Sequence, residues 1–182
     1  MIINNIEYPE TDRICIIPLT YEELWAYLKT DFSLETMLGV VHYPRHTPDF
    51  FREIIESSVI PVIKNSGNEY RCYNTIWVII DKEKHVMVGD ICFKGLPNAK
   101  GEIEIGYGIY PDFESQGYMS EGVRLLVKWA STQPGVDAVV AETDNDNLAS
   151  HRVLEKNKFR IFKSVDSMLW WRIDVRKPRK IL

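Results

Sequence analysis

The sequence predicts an α/β protein, and three observations support this fold class. Runs rich in β-branched residues, several with period-2 alternation, recur along the chain, and stretches with helical spacing separate them. The predicted order is strand, helix, helix, three strands, helix, strand, helix and a closing hairpin. The length of 182 residues suits one domain, and we find no internal repeat, low-complexity segment or linker. We therefore expect a single domain over residues 1–182.

The first predicted strand and helix lie near the N-terminus. Residues 11–19 have strand character, and Pro18 places this strand at a sheet edge or marks its end. Thr20 and Glu23 have the spacing of a capping box, in which each side chain bonds to the other residue's backbone N–H. A helix should therefore begin directly after Thr20. Residues 32–46 carry no decisive pattern.

A second helix is predicted to begin at a Thr-Pro-Asp motif. Thr47 would be the cap, Pro48 would take the first helical position, and Asp49 would face the positive end of the helix dipole. Apolar residues at helical spacing extend this helix to Pro61. Residues 65–69 then predict a turn.

The remaining elements follow at regular intervals. Residues 74–80 and 86–94 have high β propensity, and residues 95–101 connect them to a third strand at 102–109. The other expected elements are a helix from about Gly117, a strand at 136–143, a short helix capped within 144–147, and a hairpin formed by 159–163 and 167–173.

Composition and charge narrow the classes of function. The chain is 45% hydrophobic and 26% charged, which is ordinary for a soluble globular protein, and its net charge of −4 does not suggest nucleic-acid binding. No apolar run approaches the ~20 residues that span a bilayer, and the start lacks the pattern of a signal peptide. Three cysteines without Cys-x-x-Cys spacing favour buried thiols in a reducing cytoplasm. The four histidines share no metal-ligand spacing.

Residues 102–121 carry the strongest functional pattern. Apolar side chains alternate along 102–109, Pro111 and Asp112 break the strand, and a helix begins near Gly117. A strand, a tight loop and a helix together aim free N–H groups and a positive dipole end at an anion. Gly117 tolerates positive φ and permits close approach of the backbone to a ligand. The sequence therefore predicts an anion site at the start of this helix.

The same loop resembles a family signature. Residues 114–119 read Glu-Ser-Gln-Gly-Tyr-Met, which is similar to the acetyl-CoA loop of the GCN5-related N-acetyltransferases (GNAT), written Gln/Arg-x-x-Gly-x-Gly/Ala. Four further segments resemble the ribosomal-protein-alanine N-acetyltransferase branch, in the right order: 11–14, 89–95, 104–107 and 147–156. The resemblance covers about 11–173. It implies a mixed, mostly antiparallel central sheet flanked by helices.

The chain departs from the family pattern at four places. Glu114 stands for the Arg or Gln of the loop, Met119 for its last small residue, and Leu154 for a tyrosine that many relatives use as an acid. Lys158 precedes Phe159 where the family usually has glycine, which suggests a left-handed helix C-cap.

The resemblance implies an N-acetyltransferase that moves an acetyl group from acetyl-CoA to a primary amine. The amine would attack the thioester directly in a ternary complex, and no metal is implied. The acceptor would be a protein N-terminus or a small amine, and the protein a cytoplasmic monomer or homodimer. Glu114, Met119 and Leu154 keep an alternative open: a catalytically silent acyl-CoA-binding sensor or interaction module.

The resemblance also implies which residues form the site. Those expected to contact acetyl-CoA are Ile109, Tyr110, Ser115, Gln116, Gly117, Tyr118, Met119, Ser120, Asn147 and Ser150. Glu104 is expected to act as general base, directly or through water, beside a β-bulge that Gly106 would permit. Ser150 is expected to donate a hydrogen bond to the departing CoA sulfur.

Each assignment has a structural alternative. Glu104 and Glu102 fit the solvated face of a half-buried strand, and the sequence leaves open which of them, or water, is the base. Ser150 fits as a small residue in a first helical turn, and Asn147 fits as a helix cap. Tyr107 could form part of the wall of a substrate groove, but core packing is the expected role for most aromatic residues of this kind.

Overall fold

The computed structural model describes residues 2–3, 6–65 and 68–175, which form a seven-stranded sheet and a separate short hairpin. The strands are β1 (Ile2–Ile3), β2 (Ile6–Glu7), β3 (Ile14–Pro18), β4 (Ile76–Asp81), β5 (Val86–Phe93), β6 (Glu102–Ile109), β7 (Ala138–Asp144), β8 (Arg160–Val165) and β9 (Met168–Asp174). Strands β1 and β2 pair with each other, whereas the large sheet has the order β3-β4-β5-β6-β7-β9-β8. Only β6 and β7 are parallel neighbours, which confirms the mixed, mostly antiparallel sheet.

The helices surround this sheet. They are α1 (Tyr21–Lys29), α2 (Ser33–Leu38), α3 (Asp49–Ile54), α4 (Ile60–Asn65), α5 (Asn68–Asn74), α6 (Tyr118–Ala130) and α7 (Leu148–Lys156). The predicted capping box of α1 is confirmed, because the Glu23 N–H donates to the Thr20 hydroxyl and the Thr20 N–H donates to the Glu23 carboxylate. No helix within the described ranges is both long and apolar enough to cross a membrane.

The second predicted helix start is correct in place but wrong in its cap. Pro48 occupies the N-cap of α3, and the Thr47 hydroxyl is buried without a hydrogen-bond partner in the described part of the chain. The helix also does not end at Pro61. A π-helical turn at Ile55–Val59 joins α3 to α4, which contains Pro61. Proline lacks the N–H that would bond back to Ser57, and the wider turn lies where that bond is missing.

Two other local predictions can be compared with the structure. The turn predicted at 65–69 lies partly outside the described residues, but α4 extends to Asn65 and α5 already begins at Asn68. The left-handed position at Lys158 is confirmed, since its φ is 65° and it follows the C-cap of α7.

Helix α6 packs closely on the sheet through its apolar face. Val123, Leu126 and Ala130 are fully buried, as their helical spacing predicts. Gly122 allows the close approach, because a Cβ at this position would lie 2.7 Å from a methyl carbon of Ile79. This packing fixes the start of α6 relative to the end of β6.

The sheet opens between β6 and β7. Strand β6 pairs with β7 only from Glu102 to Ile105, opposite 138–141. Beyond that point β6 continues beside β5, whereas β7 continues beside β9. The bulge predicted at Gly106 is not formed, because the β5–β6 register runs continuously through this residue. Residues 106–109 instead face an opening on the side where β7 would otherwise lie.

Candidate active site

A cleft of about 440 Å³ occupies this opening. It is lined by the end of β6, the loop that follows, and the first turns of α6 and α7. All the predicted CoA-contact residues line it except Tyr110 and Gln116: Ile109, Ser115, Gly117, Tyr118, Met119, Ser120, Asn147 and Ser150. The structure therefore brings together residues from two separate parts of the chain.

One wall of the cleft is an unpaired strand edge. The Tyr110 N–H donates to the Val88 carbonyl at 2.9 Å, so the main-chain groups of Tyr110 point toward β5. Because the direction alternates along a strand, those of Tyr107 and Ile109 point the opposite way, toward the opening. Strand β7 offers them no partner, since its pairing with β6 ends at Ile105. This edge can pair with an extended ligand.

The opposite wall is the start of α6. Ser115 and Gly117 both have left-handed φ values, 56° and 83°. Gly117 is the N-cap of α6, and no side chain caps this helix, so its first N–H groups remain free to bind an anion. A Cβ at Gly117 would meet no protein atom within 4 Å. Glycine is needed here for the backbone conformation, and the space in front of it stays open.

Side chains from the sheet brace this loop from behind. Arg13 donates to the Gln116 carbonyl at 3.0 Å, and its guanidinium stacks 3.8 Å from the centre of the Tyr118 ring. The Tyr118 hydroxyl donates to Asp81 at 2.5 Å. Tyr118 and Met119 are both buried, so only their backbone is directed to the ligand position. Met119 replaces a small residue without filling the cleft.

Positive charge enters the cleft from α7. Arg152 and Lys156 lie one helical turn apart and line the cleft, as does Glu114 on the loop. The two cations outnumber the single carboxylate, so the loop's unfavourable charge is offset. Sequence reasoning missed both cations, although their spacing of four residues after the Asn147 cap placed them on one helix face.

Asn147, Ser150 and Tyr107 meet at the start of α7. The Asn147 side chain accepts from the Ser150 N–H at 3.0 Å and is the N-cap of α7. The Tyr107 hydroxyl donates to the Ser150 carbonyl at 3.4 Å, which links β6 to α7 across the opening. Burial raises the pKa of Tyr107 to about 12, so this phenol keeps its proton at neutral pH. Tyr107 thus lines the cleft while also packing against the core, which combines the two roles considered from the sequence.

The two candidate carboxylates lie outside the cleft lining. Glu104 is ion-paired with the Lys94 ammonium. Glu102 bonds to the Asn98 amide and to Arg172, and these contacts lower its pKa. Leu154, which stands where many relatives have a tyrosine, is 0% exposed and belongs to the core. The missing tyrosine therefore leaves no gap in the cleft.

A buried polar cluster lies where Asp90 of β5 pairs with Gly108 of β6. We call Tyr27, Glu35, Arg45, Asp90 and Tyr110 the Asp90 cluster. The Tyr27 hydroxyl donates to Asp90 at 2.9 Å, and Arg45 pairs with Glu35 at 3.0 Å. Burial raises the pKa of the Asp90 carboxyl to about 6, against the opposing effects of Tyr27 and Arg45. Burial and the nearby Asp90 carboxylate raise the pKa of Tyr110, which lies in this cluster and does not line the cleft.

The three cysteine thiols are expected to be unreactive in the folded protein. Burial raises the pKa of Cys15 and Cys72, and raises that of Cys92 to about 12. Cys72 and Cys92 are free cysteines. Among the residues that the structure describes, no group of three or more His, Cys, Asp or Glu side chains is arranged to hold a metal ion.

Comparison with known proteins gives consistent family matches. A family model described as the acetyltransferase (GNAT) domain matches residues 13–160. The uncharacterized N-acetyltransferase YjdG of Bacillus subtilis is 32% identical over 122 residues, covering 66% of this chain and 67% of that protein. The FsC-acetyl coenzyme A-N(2)-transacetylase of Aspergillus fumigatus is 27% identical over 154 residues, covering 79% of this chain and 61% of that protein.

Solved structures share the fold at lower identity. The ribosomal-protein-S5-alanine acetyltransferase from Vibrio fischeri has a TM-score of 0.65 at 13% identity, covering 93% of this chain and 97% of that chain. The RimL ribosomal L7/L12 alpha-N-protein acetyltransferase in complex with coenzyme A has a TM-score of 0.64 at 15% identity, covering 92% and 98%. These likenesses concern the fold alone.

Proposed function

Because this chain belongs to the GNAT acetyltransferase family and is an acyltransferase, we propose that it acetylates a primary amine with acetyl-CoA as donor. The acceptor is either a protein N-terminus or a small amine. One observation carries the proposal: β6 and β7 separate directly beside the uncapped start of α6. An unpaired strand edge and free helical N–H groups then face the same cleft.

The cleft suits the two halves of CoA. Its pyrophosphate would bind the backbone N–H groups of residues 115–120, with Arg152 and Lys156 adding positive charge. The pantetheine arm, which contains amides, would pair with the exposed edge at Tyr107 and Ile109 as an added strand does. Both interactions use main-chain atoms, so the departures at Glu114 and Met119 are compatible with CoA binding.

The proposed reaction proceeds in one ternary complex. The neutral amine attacks the thioester carbonyl carbon, an amide bond forms, and the C–S bond breaks with its electron pair on sulfur. A backbone N–H of residues 106–109 would stabilise the oxyanion, and positioning of amine and thioester would supply much of the rate gain. Ser150 and the Tyr107 phenol, which meet at the start of α7, are the hydroxyl groups proposed to stabilise the thiolate.

Glu104 remains the proposed base, acting through water. Its ion pair with Lys94 and its position outside the cleft lining favour an indirect role over direct contact with the amine. Demand on a base is modest for an α-amine, whose pKa of about 8 leaves roughly a tenth neutral at pH 7, compared with a lysine amine near 10.4. We expect Glu104→Gln to lower kcat most at low pH and least where the amine is already neutral. A loss of equal size at every pH would contradict this role.

An acetylation panel tests the function as a whole. Purified protein and acetyl-CoA are incubated with N-terminal peptides, free lysine, polyamines and aminoglycosides, and acetylated products are identified by mass spectrometry. We expect one acceptor class to be acetylated with saturable kinetics. Acetyl-CoA binding by calorimetry, together with no product from any amine, would contradict the proposal and favour a sensor of acyl-CoA.

A further inference from the structure

The Asp90 cluster lies next to the strand that lines the CoA cleft. Asp90 pairs with Gly108 across β5 and β6, and a Cβ at Gly108 would lie 3.7 Å from the Asp90 Oδ1 atom. Gly108 also lines the cleft and is exposed, because β6 has no β7 neighbour beyond Ile105. With no side chain at Gly108, the Asp90 carboxylate lies directly behind an exposed stretch of backbone at the edge of the cleft.

The charge of Asp90 is not balanced by an ion pair. Glu35 and Arg45 pair with each other, the other Arg45 hydrogen bonds are to the backbone carbonyls of Ala26 and Tyr27, and its guanidinium lies 4.4 Å from the centre of the Tyr27 ring. In the described part of the chain, the Tyr27 hydroxyl is the one hydrogen-bond donor to the Asp90 carboxylate. With one cation and two carboxylates, the cluster has a net charge of −1 at neutral pH.

One further polar atom in the cluster is unsatisfied. The Glu35 Oε2 atom is buried and has no hydrogen-bond partner among the described residues. Buried polar groups of native proteins are nearly always paired. An alkylammonium group brings three N–H donors, a positive charge and no acceptor, which matches what the cluster lacks.

Packing alone does not explain why residue 90 is an aspartate. An asparagine at position 90 would still accept from the Tyr27 hydroxyl, and it would avoid the burial of a net charge, which is costly without a counterion. A buried residue that lowers stability and lies beside a reaction cleft is typical of a functional site. The chemistry of the cluster therefore indicates a cationic ligand.

We infer that the Asp90 cluster recognises the acceptor in its cationic form, so that the amine enters this site as an ammonium ion. This inference rests on the proposed function and adds a recognition residue to it. Loss of the proton before attack is a separate step, assigned above to Glu104. Asp90 is thus a binding residue for the acceptor and has no part in CoA binding.

L-Alaninamide and lactamide provide a matched pair of probes. They differ only in that an ammonium group in the first is replaced by a neutral hydroxyl in the second. Each is titrated by calorimetry into the complex of the protein with CoA, which cannot transfer an acetyl group. We expect alaninamide to bind at least 10-fold more tightly than lactamide. Equal binding of the two probes by the unmodified protein would overturn the inference.

Asp90→Asn should abolish this preference while leaving CoA affinity within about 2- to 3-fold of normal. Asp31→Asn changes an exposed aspartate in the loop after α1 and should keep the preference. A preference that survives Asp90→Asn would contradict the inference. If alaninamide binds through Asp90 but no amine in the panel is acetylated, the recognition site stands and the proposed function fails.

The pH dependence gives an independent readout. The ionisable groups of the cluster and its surroundings are Tyr27 of α1, Glu35 of α2, Arg45, Tyr110, and Cys92, Lys94 and Glu104 on the two strands. Alaninamide, whose amine pKa is about 8, stays charged below pH 7. Its affinity should therefore fall below pH 6 as Asp90 takes up a proton, and a flat profile between pH 5 and 7 would count against Asp90.

Tyr27→Phe covers the case in which Asp90→Asn does not fold. It removes the single hydrogen bond to Asp90 but keeps the charge, and Tyr21→Phe on the same helix is the matched control. We expect Tyr27→Phe to weaken alaninamide binding about 2- to 10-fold and to move the acidic limb to higher pH, because a bond that stabilises the ionised form is lost. No change in either quantity would overturn the inference.

Discussion

The CoA cleft and the Asp90 cluster meet at β6, but they are built differently. The cleft presents main-chain atoms: an unpaired strand edge and the uncapped start of α6. The Asp90 cluster presents side chains that come from α1, α2, β5 and the segments around them. A site made of backbone tolerates substitution as long as the backbone path is kept. A site made of side chains changes its specificity with each substitution.

This difference fits the proposed function, in which the donor is constant and the acceptor must be selected. The amides and phosphates of acetyl-CoA would be recognised by N–H and C=O groups that every residue carries. Acceptor recognition needs particular charges in particular places. The predictions below test whether backbone conformation governs one region and side-chain chemistry the other.

Gly117→Glu should have the largest effect, because it disturbs the backbone-built region directly. The substitution places a side chain at φ 83° and adds a negative charge where the pyrophosphate is proposed to bind. We expect CoA affinity to fall more than 100-fold by calorimetry. An unchanged affinity would show that the phosphates bind elsewhere.

Gly135→Glu is the matched control for backbone strain. Gly135 also has positive φ, 79°, and a Cβ there would likewise meet no atom within 4 Å. Both variants should lose a similar ~1–2 kcal/mol of unfolding free energy, since the left-handed conformation costs about that much for a residue with a Cβ. Only Gly117→Glu should lose CoA affinity.

Ser150→Ala and Tyr107→Phe ask whether side chains matter within the cleft. If the Ser150 hydroxyl donates to the leaving sulfur, its removal costs about one hydrogen bond to a charged group, ~1.5–3 kcal/mol, or roughly 10- to 150-fold in kcat. Tyr107→Phe removes the other hydroxyl and should show a comparable loss if the phenol shares this role. Single-turnover rates of the two variants, with their CoA affinities as a control, show which hydroxyl contributes to the chemical step. Normal rates in both variants would mean that the thiolate leaves unaided.

Asp90→Asn should show how much the buried carboxylate of the Asp90 cluster lowers the free energy of unfolding. The Asp90 pKa of about 6 in the folded protein exceeds the ordinary 3.8, so the folded state binds more protons between these values. Its contribution to the free energy of unfolding therefore falls as pH rises from 4 to 6, and is constant above. Asp90→Asn has no carboxyl group at this position, so its free energy of unfolding lacks this decrease between pH 4 and 6. Urea unfolding should show it gaining ~2 kcal/mol relative to the normal protein between pH 4 and pH 7.5.

Glu114→Gln should have the smallest effect. It removes one exposed negative charge beside the proposed phosphate position, where exposed charge interactions are worth about 0.2–1 kcal/mol. CoA affinity should rise up to about 5-fold at low salt, and the gain should shrink at high salt. Weaker CoA binding in this variant would show that the carboxylate contributes a specific contact.

Most of the fold and the backbone-built region could be predicted from local sequence. Period-2 alternation, the capping box of α1 and the glycine before α6 each act within a few residues of the chain. The errors at Thr47 and Gly106 occurred at positions where contacts between residues distant in sequence determine the local conformation. Pairing of β6 with its neighbours kept the strand regular, and the separation of β6 from β7 depends on a strand some 30 residues further on.

The Asp90 cluster could not be predicted in this way. Its members lie at 27, 35, 45, 90 and 110, and although Asp90 falls in the segment 89–95 that resembles the family, no sequence pattern links the five residues to one another. Asp90 looked like one polar residue in a strand that otherwise reads as buried. Tyr107 was assigned from the alternation of apolar residues along β6. This pattern predicted its face of the strand correctly, but it did not predict the contact of its hydroxyl with α7. Chemistry carried by converging side chains becomes visible only in three dimensions.

The quiet cysteines have a practical consequence for measuring this enzyme. Every turnover of the proposed reaction releases one CoA thiol, which reagents such as a disulfide dye detect by colour. Because burial raises the pKa of Cys15, Cys72 and Cys92, few of their thiolates exist at neutral pH, and the folded protein should react slowly with such a dye. The colour would then report product, and a sudden protein signal would report unfolding. A single continuous assay thus follows both catalysis and the integrity of the fold.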